Sequence, residues 1–313
     1  MNVETIKNDE TIKRSNTFIK KAVHVIKRDW GAWLIMVPAL LALLIFTYIP
    51  MVGGAYLSLC KTKAYDAVAF VGLNNFRDIL TNSLFLKALG NCFKYVFWCF
   101  VIGWPLPIIM AILLNEIRRG QRLYRCLSYL PGMVPGIIAS MVWAILLSPG
   151  QVGLLNNILG RFGIPPLEWL QDKNLVIPTI AMVMTWSGCC GTIVMYIANL
   201  QGVNSDLYEA SAIDGAGFFR RVWYITLPTL APLLKLGICS QVASTFTVFQ
   251  QVYILTGGGP DNASMNLAML VYQYTFNNMQ AGHSAAISIV QCIILVTITL
   301  IFRWATRRSG EDE

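Results

Sequence analysis

Charged residues are what this 313-residue sequence lacks most. Aspartate, glutamate, lysine and arginine together make up 13% of it, whereas a soluble domain carries roughly 25%. Six stretches of 21 to 41 residues contain none of the four: 30–60, 95–115, 126–160, 174–205, 236–260 and 262–302. Because a membrane-spanning helix needs about 20 apolar residues, the sequence predicts six spans. This composition argues against a soluble enzyme, a disulfide-stapled secreted domain and a nucleic-acid-binding domain.

Residues suited to catalysis or metal binding are also scarce. The chain has two histidines, His24 and His283, which are far apart in sequence. Its eight cysteines show no metal-ligand spacing, since Cys189 and Cys190 are adjacent rather than arranged as Cys-x-x-Cys. Most cysteines fall inside the predicted spans, where we expect them to be small buried apolar residues. We therefore predict no catalytic residue and no metal site.

The basic residues are distributed unevenly between the two sides of the predicted topology. Seventeen of the 24 lysines and arginines lie before the first span, in the loops 115–125 and 201–232, near the start of the fifth span, or in the tail. Positive residues favour the cytoplasmic side, so both termini and these two loops are predicted to be cytoplasmic. The net charge of +8 is explained by this orientation and requires no nucleic-acid partner.

The sequence divides into a basic cytoplasmic N-terminal segment, 1–30, a transmembrane domain, 31–306, and a cytoplasmic tail, 307–313. The spans are predicted near 33–59, 89–114, 126–147, 176–200, 233–255 and 283–304, several of them kinked by proline. Between the first two spans, the turn-rich stretch 70–76 leads into a predicted short helix at 77–87. The predicted fold is therefore all-α, an integral membrane protein with six transmembrane helices.

The longest predicted cytoplasmic loop, 201–230, has the pattern of two short helices separated by a break. Asp206 and Glu209 have the spacing of a capping box at the start of the first helix. Gly215 and Gly217 are expected to end that helix, and Pro228 to end the second helix and return the chain to the membrane. Small residues keep the first helix thin enough to enter a groove on a partner. The alternative is a solvated loop helix.

This loop also carries a recognisable motif. It resembles the cytoplasmic signature E-A-A-x-x-x-G-x(9)-I-x-L-P of ABC importer permeases, matched by Glu209, Ala210, Gly215, Ile225, Leu227 and Pro228, with Ser211 in place of the second alanine. The segments 70–76, 105–116, 128–131 and 257–260 resemble the carbohydrate branch of the same family. The resemblance covers most of the chain except its first 30 residues.

The resemblance implies one subunit of a multi-chain importer with the type I importer fold, in a bacterial cytoplasmic membrane. Its partners would be a second homologous permease, two cytoplasmic ATPase subunits and an extracytoplasmic solute-binding protein. ATP and Mg²⁺ would bind the ATPase subunits, since this chain has no G-x-x-x-x-G-K-[ST] phosphate loop. The resemblance places a coupling helix between spans four and five, and the residues expected to contact the ATPase are Asp206, Tyr208, Glu209, Ala210, Ser211, Asp214, Gly215 and Ala216.

The resemblance further implies that the spans flanking this loop hold the substrate. A sugar requires hydrogen-bonding side chains that face a water-filled path. The candidates are Gln241, Ser244, Thr245 and Gln251 in span five, and Thr185, Trp186, Ser187 and Gly188 in span four. The alternative role is helix packing, because Ser, Thr and Gly are enriched where membrane helices meet. Since these spans carry no charge, the predicted substrate is neutral.

Two other functional classes, and other permeases of the ABC class, are the alternatives to this one. A secondary transporter is expected to place ionisable residues within its spans, and the charge-free runs contain none. An integral membrane enzyme would require a cluster of nucleophile, base or metal ligands. Within the ABC class, amino-acid, phosphate and metal permeases share the loop signature. The substrate therefore stays open between a sugar or oligosaccharide and another small neutral solute.

Overall fold

The computed structural model describes residues 28–117 and 119–308, and the chain is predominantly helical. The all-α prediction is confirmed. The predicted basic segment 1–30 lies almost entirely outside the described residues, as do residues 309–313 of the predicted tail. The described residues form two compact units that divide at Tyr56 and Leu57. The first unit contains most of helix α1, Trp30–Ser58, whose mean hydropathy is 2.3.

A β-hairpin follows α1, and the sequence did not predict it. Strand β1, Cys60–Lys63, pairs antiparallel with β2, Asp66–Phe70. Helix α2, Asn74–Leu80, comes next. The predicted helix 77–87 is wrong, because the chain breaks at Asn82. The Asn82 side chain accepts a hydrogen bond from the backbone N–H of Leu84 at 2.8 Å and so caps a new helix.

The remaining helices belong to the second unit. They are α3 (Ser83–Glu116), α4 (Gln121–Met133), α5 (Gly136–Leu146), α6 (Leu154–Gly160), α7 (Val176–Gln201), α8 (Ser205–Ile213), α9 (Phe218–Phe246), α10 (Gln250–Leu255), α11 (Leu267–Tyr272) and α12 (Ala281–Arg308). In the described part of the chain, α1, α3, α7, α9 and α12 are each long and apolar enough to cross a membrane. The pair α4 and α5 makes a sixth span if it counts as one, although it is bent by 96°.

Proline affects these helices differently from the prediction. Pro50, Pro105 and Pro228 each stand two positions after a π-helical turn, at Leu44–Tyr48, Cys99–Gly103 and Val222–Thr226. Each helix continues through its proline. A proline ring clashes with the carbonyl four residues earlier, and here that carbonyl belongs to the wide π turn. The prediction that Pro228 ends a helix is therefore wrong, and span five begins at Phe218 instead of residue 233.

The second unit has two distinct ends. One end, called the Arg-rich end below, carries the segments 116–125 and 202–221. The other, called the hairpin end, carries β1, β2 and the segments 147–175 and 247–280. An ion pair between Arg221 and Glu116 (3.4 Å) joins the start of α9 to the end of α3 at the Arg-rich end. At the hairpin end, Lys173 pairs with Asp261 at 2.8 Å.

Two hydrophobic clusters form the core of this unit. The cluster nearer the hairpin end includes Phe85 on α3, Ile180 on α7 and Phe246 on α9. The cluster nearer the Arg-rich end includes Ile112 on α3 and Leu230 on α9. Helix α7 contributes Ile193 to this second cluster. Helices α3, α7 and α9 therefore contribute to both clusters, and their middle turns lie between them.

The cysteines follow the prediction only in part. Cys60, Cys92, Cys99 and Cys190 are buried, as predicted for small apolar residues. Cys126 and Cys292 are exposed in this chain, where the prediction is wrong. They lie on outward faces of α4 and α12, and the sequence spacing of a lone cysteine does not distinguish an outward helix face from an inward one.

Candidate substrate path and coupling loop

A cavity of about 740 Å³ lies half-way along the helices of the second unit, between the two core clusters. Its walls are the middle turns of α3, α7 and α9, together with the break between α4 and α5 and one residue of α10. Among the described residues that line it, none is Asp, Glu, Lys or Arg. Its polar lining includes hydroxyl and amide side chains: Thr185, Ser187, Thr192, Tyr196, Ser240, Gln241, Ser244 and Gln251.

Glycines bring the helices close together around this cavity and leave space inside it. A Cβ atom on Gly103 of α3 would lie 2.9 Å from the Thr185 hydroxyl oxygen of α7, so this glycine permits close helix packing. A Cβ atom on Gly132 would lie 2.9 Å from the Cβ atom of Cys190. Gly188 is different, because a Cβ atom there would meet no atom within 4 Å. Part of the cavity volume therefore comes from the missing side chain at Gly188.

The structure brings together six of the eight predicted substrate-path residues. They line the cavity: Gln241, Ser244, Gln251, Thr185, Ser187 and Gly188. Thr245 is fully buried beside it, and its hydroxyl donates to the backbone oxygen of Gln241 at 2.7 Å. Trp186 packs edge-on against Trp143, with ring centroids 5.6 Å apart. Thr245 and Trp186 thus make packing contacts outside the cavity lining.

Helix α3 contributes a wall of the cavity that was not predicted from the sequence. Cys99, Gly103, Trp104 and Pro107 line the cavity from its middle turns. The signal was present in the sequence, since Gly103-Trp-Pro-Leu-Pro107 interrupts an otherwise apolar span. A glycine beside two prolines is a recognisable site of local irregularity in a membrane helix.

The predicted coupling helix is α8, and its first turn differs from the prediction. Asn204, not Asp206, is the N-cap, because its side-chain oxygen accepts from the backbone N–H of Asp206 at 3.0 Å. The predicted capping box of Asp206 and Glu209 is therefore wrong. Asp206 already lies in the first helical turn, where its charge favours the positive end of the helix dipole.

The loop after α8 contains one left-handed residue. Gly215 has φ +71, as the sequence predicted, whereas Gly217 has an ordinary φ of −68 and is the N-cap of α9. Of the predicted coupling residues, five are exposed: Asp206, Glu209, Ala210, Asp214 and Gly215. Tyr208, Ser211 and Ala216 are half-buried.

Two polar contacts tie this region to the transmembrane helices. The phenol oxygen of Tyr208 lies 3.3 Å from the hydroxyl oxygen of Thr226, which is buried in the π turn of α9. The guanidinium of Arg221, five residues earlier on α9, donates to the Glu116 carboxylate at the end of α3. The coupling helix is thus joined directly to α9, and α9 is joined in turn to α3; both of these helices line the cavity.

Comparison with known protein families identifies the family to which this chain belongs. Residues 103–310 match the model of the family described as binding-protein-dependent transport system inner membrane component. The chain belongs to this family. It is therefore a multi-pass membrane permease, and the matched range includes α8 and most of the cavity lining.

Individual relatives of this permease cover nearly its whole length. The multiple sugar-binding transport system permease protein MsmF of Streptococcus mutans serotype c (strain ATCC 700610 / UA159) is 30% identical over 88% of this chain and 95% of that protein. The sn-glycerol-3-phosphate transport system permease protein UgpA of Agrobacterium fabrum (strain C58 / ATCC 33970) is 30% identical over 88% of this chain and 94% of that protein.

A solved structure shares the fold of the permease. A chain from a bacterial ABC transporter involved in the import of the acidic polysaccharide alginate superposes with a TM-score of 0.81. The match covers 92% of this chain and 99% of that chain at 23% sequence identity. The permease therefore has the type I ABC importer fold. Among its described residues, no group of three or more His, Cys, Asp or Glu is placed to hold a metal ion.

Proposed function

We propose that this permease forms half of the translocation path for a neutral sugar or oligosaccharide that an extracytoplasmic binding protein delivers. The observation that carries the proposal is the uncharged cavity of about 740 Å³ at mid-helix height. Small-molecule sites generally have volumes of roughly 300–1,000 Å³ and a few oriented polar groups. Hydroxyl and amide side chains can exchange hydrogen bonds with sugar hydroxyls and carry no charge that would favour an ion.

Individual side chains have distinct roles in this proposal. Gln241, Ser244 and Gln251 supply donors and acceptors for sugar hydroxyls. Trp104 supplies an aromatic ring for the apolar face of a pyranose. Thr245 is a positioning residue, since its hydroxyl contacts both the backbone oxygen and the side-chain amide of Gln241, at 2.7 and 3.5 Å.

A phosphate ester is the specific alternative to a neutral sugar as the substrate. One relative is named for multiple sugars and another for sn-glycerol-3-phosphate, at the same 30% identity. A phosphate monoester is normally recognised by arginine or lysine. Because the described lining of the cavity has neither, a neutral saccharide is favoured.

The partners and the orientation belong to the same proposal. A second homologous permease completes the path, and two cytoplasmic ATPase subunits bind ATP and Mg²⁺ and seat α8 in a cleft. The excess of lysine and arginine in the Arg-rich loops and the terminal segments supports a cytoplasmic position for this end and for both termini. The hairpin end then faces the binding protein.

The proposed mechanism is transmission of movement from α8 to the walls of the cavity. Closure of the ATP-loaded ATPase dimer displaces α8. The contact of Tyr208 with Thr226 carries this displacement to α9, and the pair of Arg221 with Glu116 carries it to α3. Because α3 and α9 both line the cavity, their movement opens the cavity alternately toward the Arg-rich end and toward the hairpin end.

The test is uptake by proteoliposomes containing the complete complex and its binding protein. The panel is glucose, maltose, raffinose and sn-glycerol-3-phosphate, each with a radioactive label. We expect ATP-dependent uptake of at least one neutral sugar and none of the phosphate ester. Uptake of sn-glycerol-3-phosphate alone would contradict the proposed substrate class.

A matched pair of variants tests whether the cavity binds the imported sugar. Gln241→Leu keeps the side-chain volume but removes one or two hydrogen bonds, each worth about 0.5–1.5 kcal/mol. We expect KM for the imported sugar to rise at least about threefold while assembly and basal ATPase activity stay unchanged. Thr247→Val is the control, because Thr247 directly follows α9, is exposed and lies outside the cavity lining; its hydroxyl donates only to backbone oxygens, those of Ala243 and Ser244. Equal KM values for the two variants would assign Gln241 to packing.

A further inference from the structure

A second cavity, of about 380 Å³, lies at the hairpin end. One wall is the segment 168–171, and the other is the segment 255–260, with the end of α5 and the residues just after it between them. We propose that this hairpin-end pocket is a separate saccharide subsite that receives the sugar before it enters the central cavity. The proposal rests on the proposed function and adds a second position on the same path.

The aromatic ring of the pocket is held in a fixed orientation. The indole N–H of Trp169 donates to the side-chain oxygen of Asn156 at 2.9 Å. Asn156 is 2% exposed. Its amide also donates to the backbone oxygen of Leu167 and accepts from the backbone N–H of Leu167, each at 3.0 Å. The sequence therefore uses one buried asparagine to orient a tryptophan that lines a pocket, an arrangement suited to stacking on the apolar face of a sugar ring.

Two polar side chains beside this ring have no partner in the described part of the chain. Glu168 and Gln171 line the pocket and are exposed. A carboxylate accepts two hydrogen bonds from adjacent sugar hydroxyls, and an amide can both donate and accept. An aromatic ring with a free carboxylate and a free amide has the composition of a site for a neutral polyhydroxylated ligand.

The opposite wall, the segment 255–260, is also held in place by hydrogen bonds. The hydroxyl of Ser264 donates to the backbone oxygen of Gly259 at 2.6 Å and lies 2.8 Å from the hydroxyl oxygen of Thr256. The phenol of Tyr95, on α3, donates to the backbone oxygen of Ser264 at 3.1 Å. A preformed wall lowers the entropic cost of binding a ligand.

An ion pair joins the two walls. Lys173, just beyond one wall, donates to the carboxylate of Asp261, just beyond the other, at 2.8 Å. The hydrogen bond from Lys173, followed by the charges of Lys173 and Lys87, lowers the pKa of Asp261. A carboxyl group with a lowered pKa keeps its ion pair at neutral pH and loses it only as the pH falls through that lowered value.

Two helices connect the pocket with the central cavity. On α10, Leu255 lines the pocket and Gln251 lines the central cavity. On α5, Ala144 lines the pocket and Gly136 lines the cavity. At about 1.5 Å rise per residue, these pairs separate the two sites by roughly 6 to 12 Å along the helices. This separation corresponds to one or two lengths of a sugar unit.

The test uses Gln171→Cys in the complete complex, with the sugar that the wild-type complex imports from the panel above. A membrane-impermeant sulfonatoethyl methanethiosulfonate is added from the binding-protein side, and wild type gives the background of the native cysteines. We expect the free sugar, without binding protein, to slow modification of Gln171→Cys at least about threefold. Asn174→Cys, exposed three residues further along and outside the pocket lining, should show no protection.

Uptake kinetics give a second measurement. Trp169→Ala should raise KM about threefold to tenfold through loss of the ring, whereas Trp169→Phe, which keeps an aromatic ring but loses the hydrogen bond to Asn156, should raise it less. Import by wild type with no protection of Gln171→Cys and an unchanged KM in Trp169→Ala would overturn the subsite but leave the proposed function intact. Protection by sugar-free binding protein, and not by sugar, would make this surface a protein contact and would also overturn it. Absence of sugar import by wild type would instead contradict the proposed function.

Discussion

Gly215 and Gly217 lie two positions apart between α8 and α9, yet they have different backbone requirements. A Cβ atom at either position would meet no atom within 4 Å. Only Gly215 has a left-handed backbone, with φ +71 against −68 for Gly217. A non-glycine residue in that conformation costs roughly 1–2 kcal/mol. Both positions have space for a side chain, so the same substitution at each of them compares a strained backbone with an unstrained one.

We expect Gly215→Val to insert normally, to retain less ATPase subunit on purification in detergent, and to lose uptake. The reason is that the strained turn cannot hold α8 in its docked orientation. Gly217→Val, which adds the same side chain without backbone strain, should keep both properties. Co-purification of the ATPase and substrate uptake are the measurements. Full retention of both by Gly215→Val would mean that the loop is not a coupling element.

The contacts at the Arg-rich end act at the scale of whole elements. Glu116 ends α3 and Arg221 begins α9, and their side chains are half-buried, at 34% and 25% exposure. In the described part of the chain, no other ion pair joins elements of the Arg-rich end. A half-buried pair of this kind contributes on the order of 1 kcal/mol. In the proposed mechanism, its position between two cavity helices lets it transmit movement from α9 to α3.

Charge reversal of this pair tests the mechanical link. Glu116→Arg and Arg221→Glu should each lower the amount of sugar imported per ATP hydrolysed, because α3 no longer follows α9. The double variant restores the attraction and should recover most of the coupling ratio. Parallel measurements of uptake and ATP hydrolysis in proteoliposomes provide this ratio. A double variant no better than the single variants would show that the pair does not carry the movement.

The elements could be predicted from the sequence wherever one physical signal dominated. Charge-free runs located the spans, since a buried charge in lipid is costly. Proline was misjudged because its effect depends on the preceding turn, as the π turn before Pro228 shows. The hairpin at Cys60–Phe70 was missed because its exposed strand Asp66–Phe70 lacks an alternating burial pattern.

The residues of the candidate site could likewise be predicted only in part. Gln241, Ser244 and Gln251 could be predicted from their polarity in an apolar span. Thr245 is predicted to face the path, but it is fully buried and lies outside the cavity lining, whereas its neighbour Ser244 lines the cavity. Helical spacing places residues on a face to within about one residue and does not identify which of two neighbouring residues reaches the cavity.

Orientation is a property of the whole molecule. The excess of basic residues at the Arg-rich end predicts that Asp214 is cytoplasmic and that Asn74, beside the buried Asn75, is extracytoplasmic. An impermeant thiol reagent added to intact cells should therefore modify Asn74→Cys and leave Asp214→Cys unmodified until the membrane is made permeable. Modification of Asp214→Cys in intact cells would reverse both the orientation and the coupling model.

The central cavity is the proposed path of the substrate, and one glycine in its wall tests this most directly. Gly188 faces that cavity with no atom within 4 Å of a Cβ position, whereas Gly90 of α3 is equally open but lies outside the cavity lining. The decisive measurement is ATP-dependent sugar accumulation in proteoliposomes by Gly188→Trp beside Gly90→Trp. We expect both complexes to assemble and to hydrolyse ATP at the basal rate, and only Gly90→Trp to accumulate sugar. Accumulation at the wild-type rate by Gly188→Trp would contradict the proposed path.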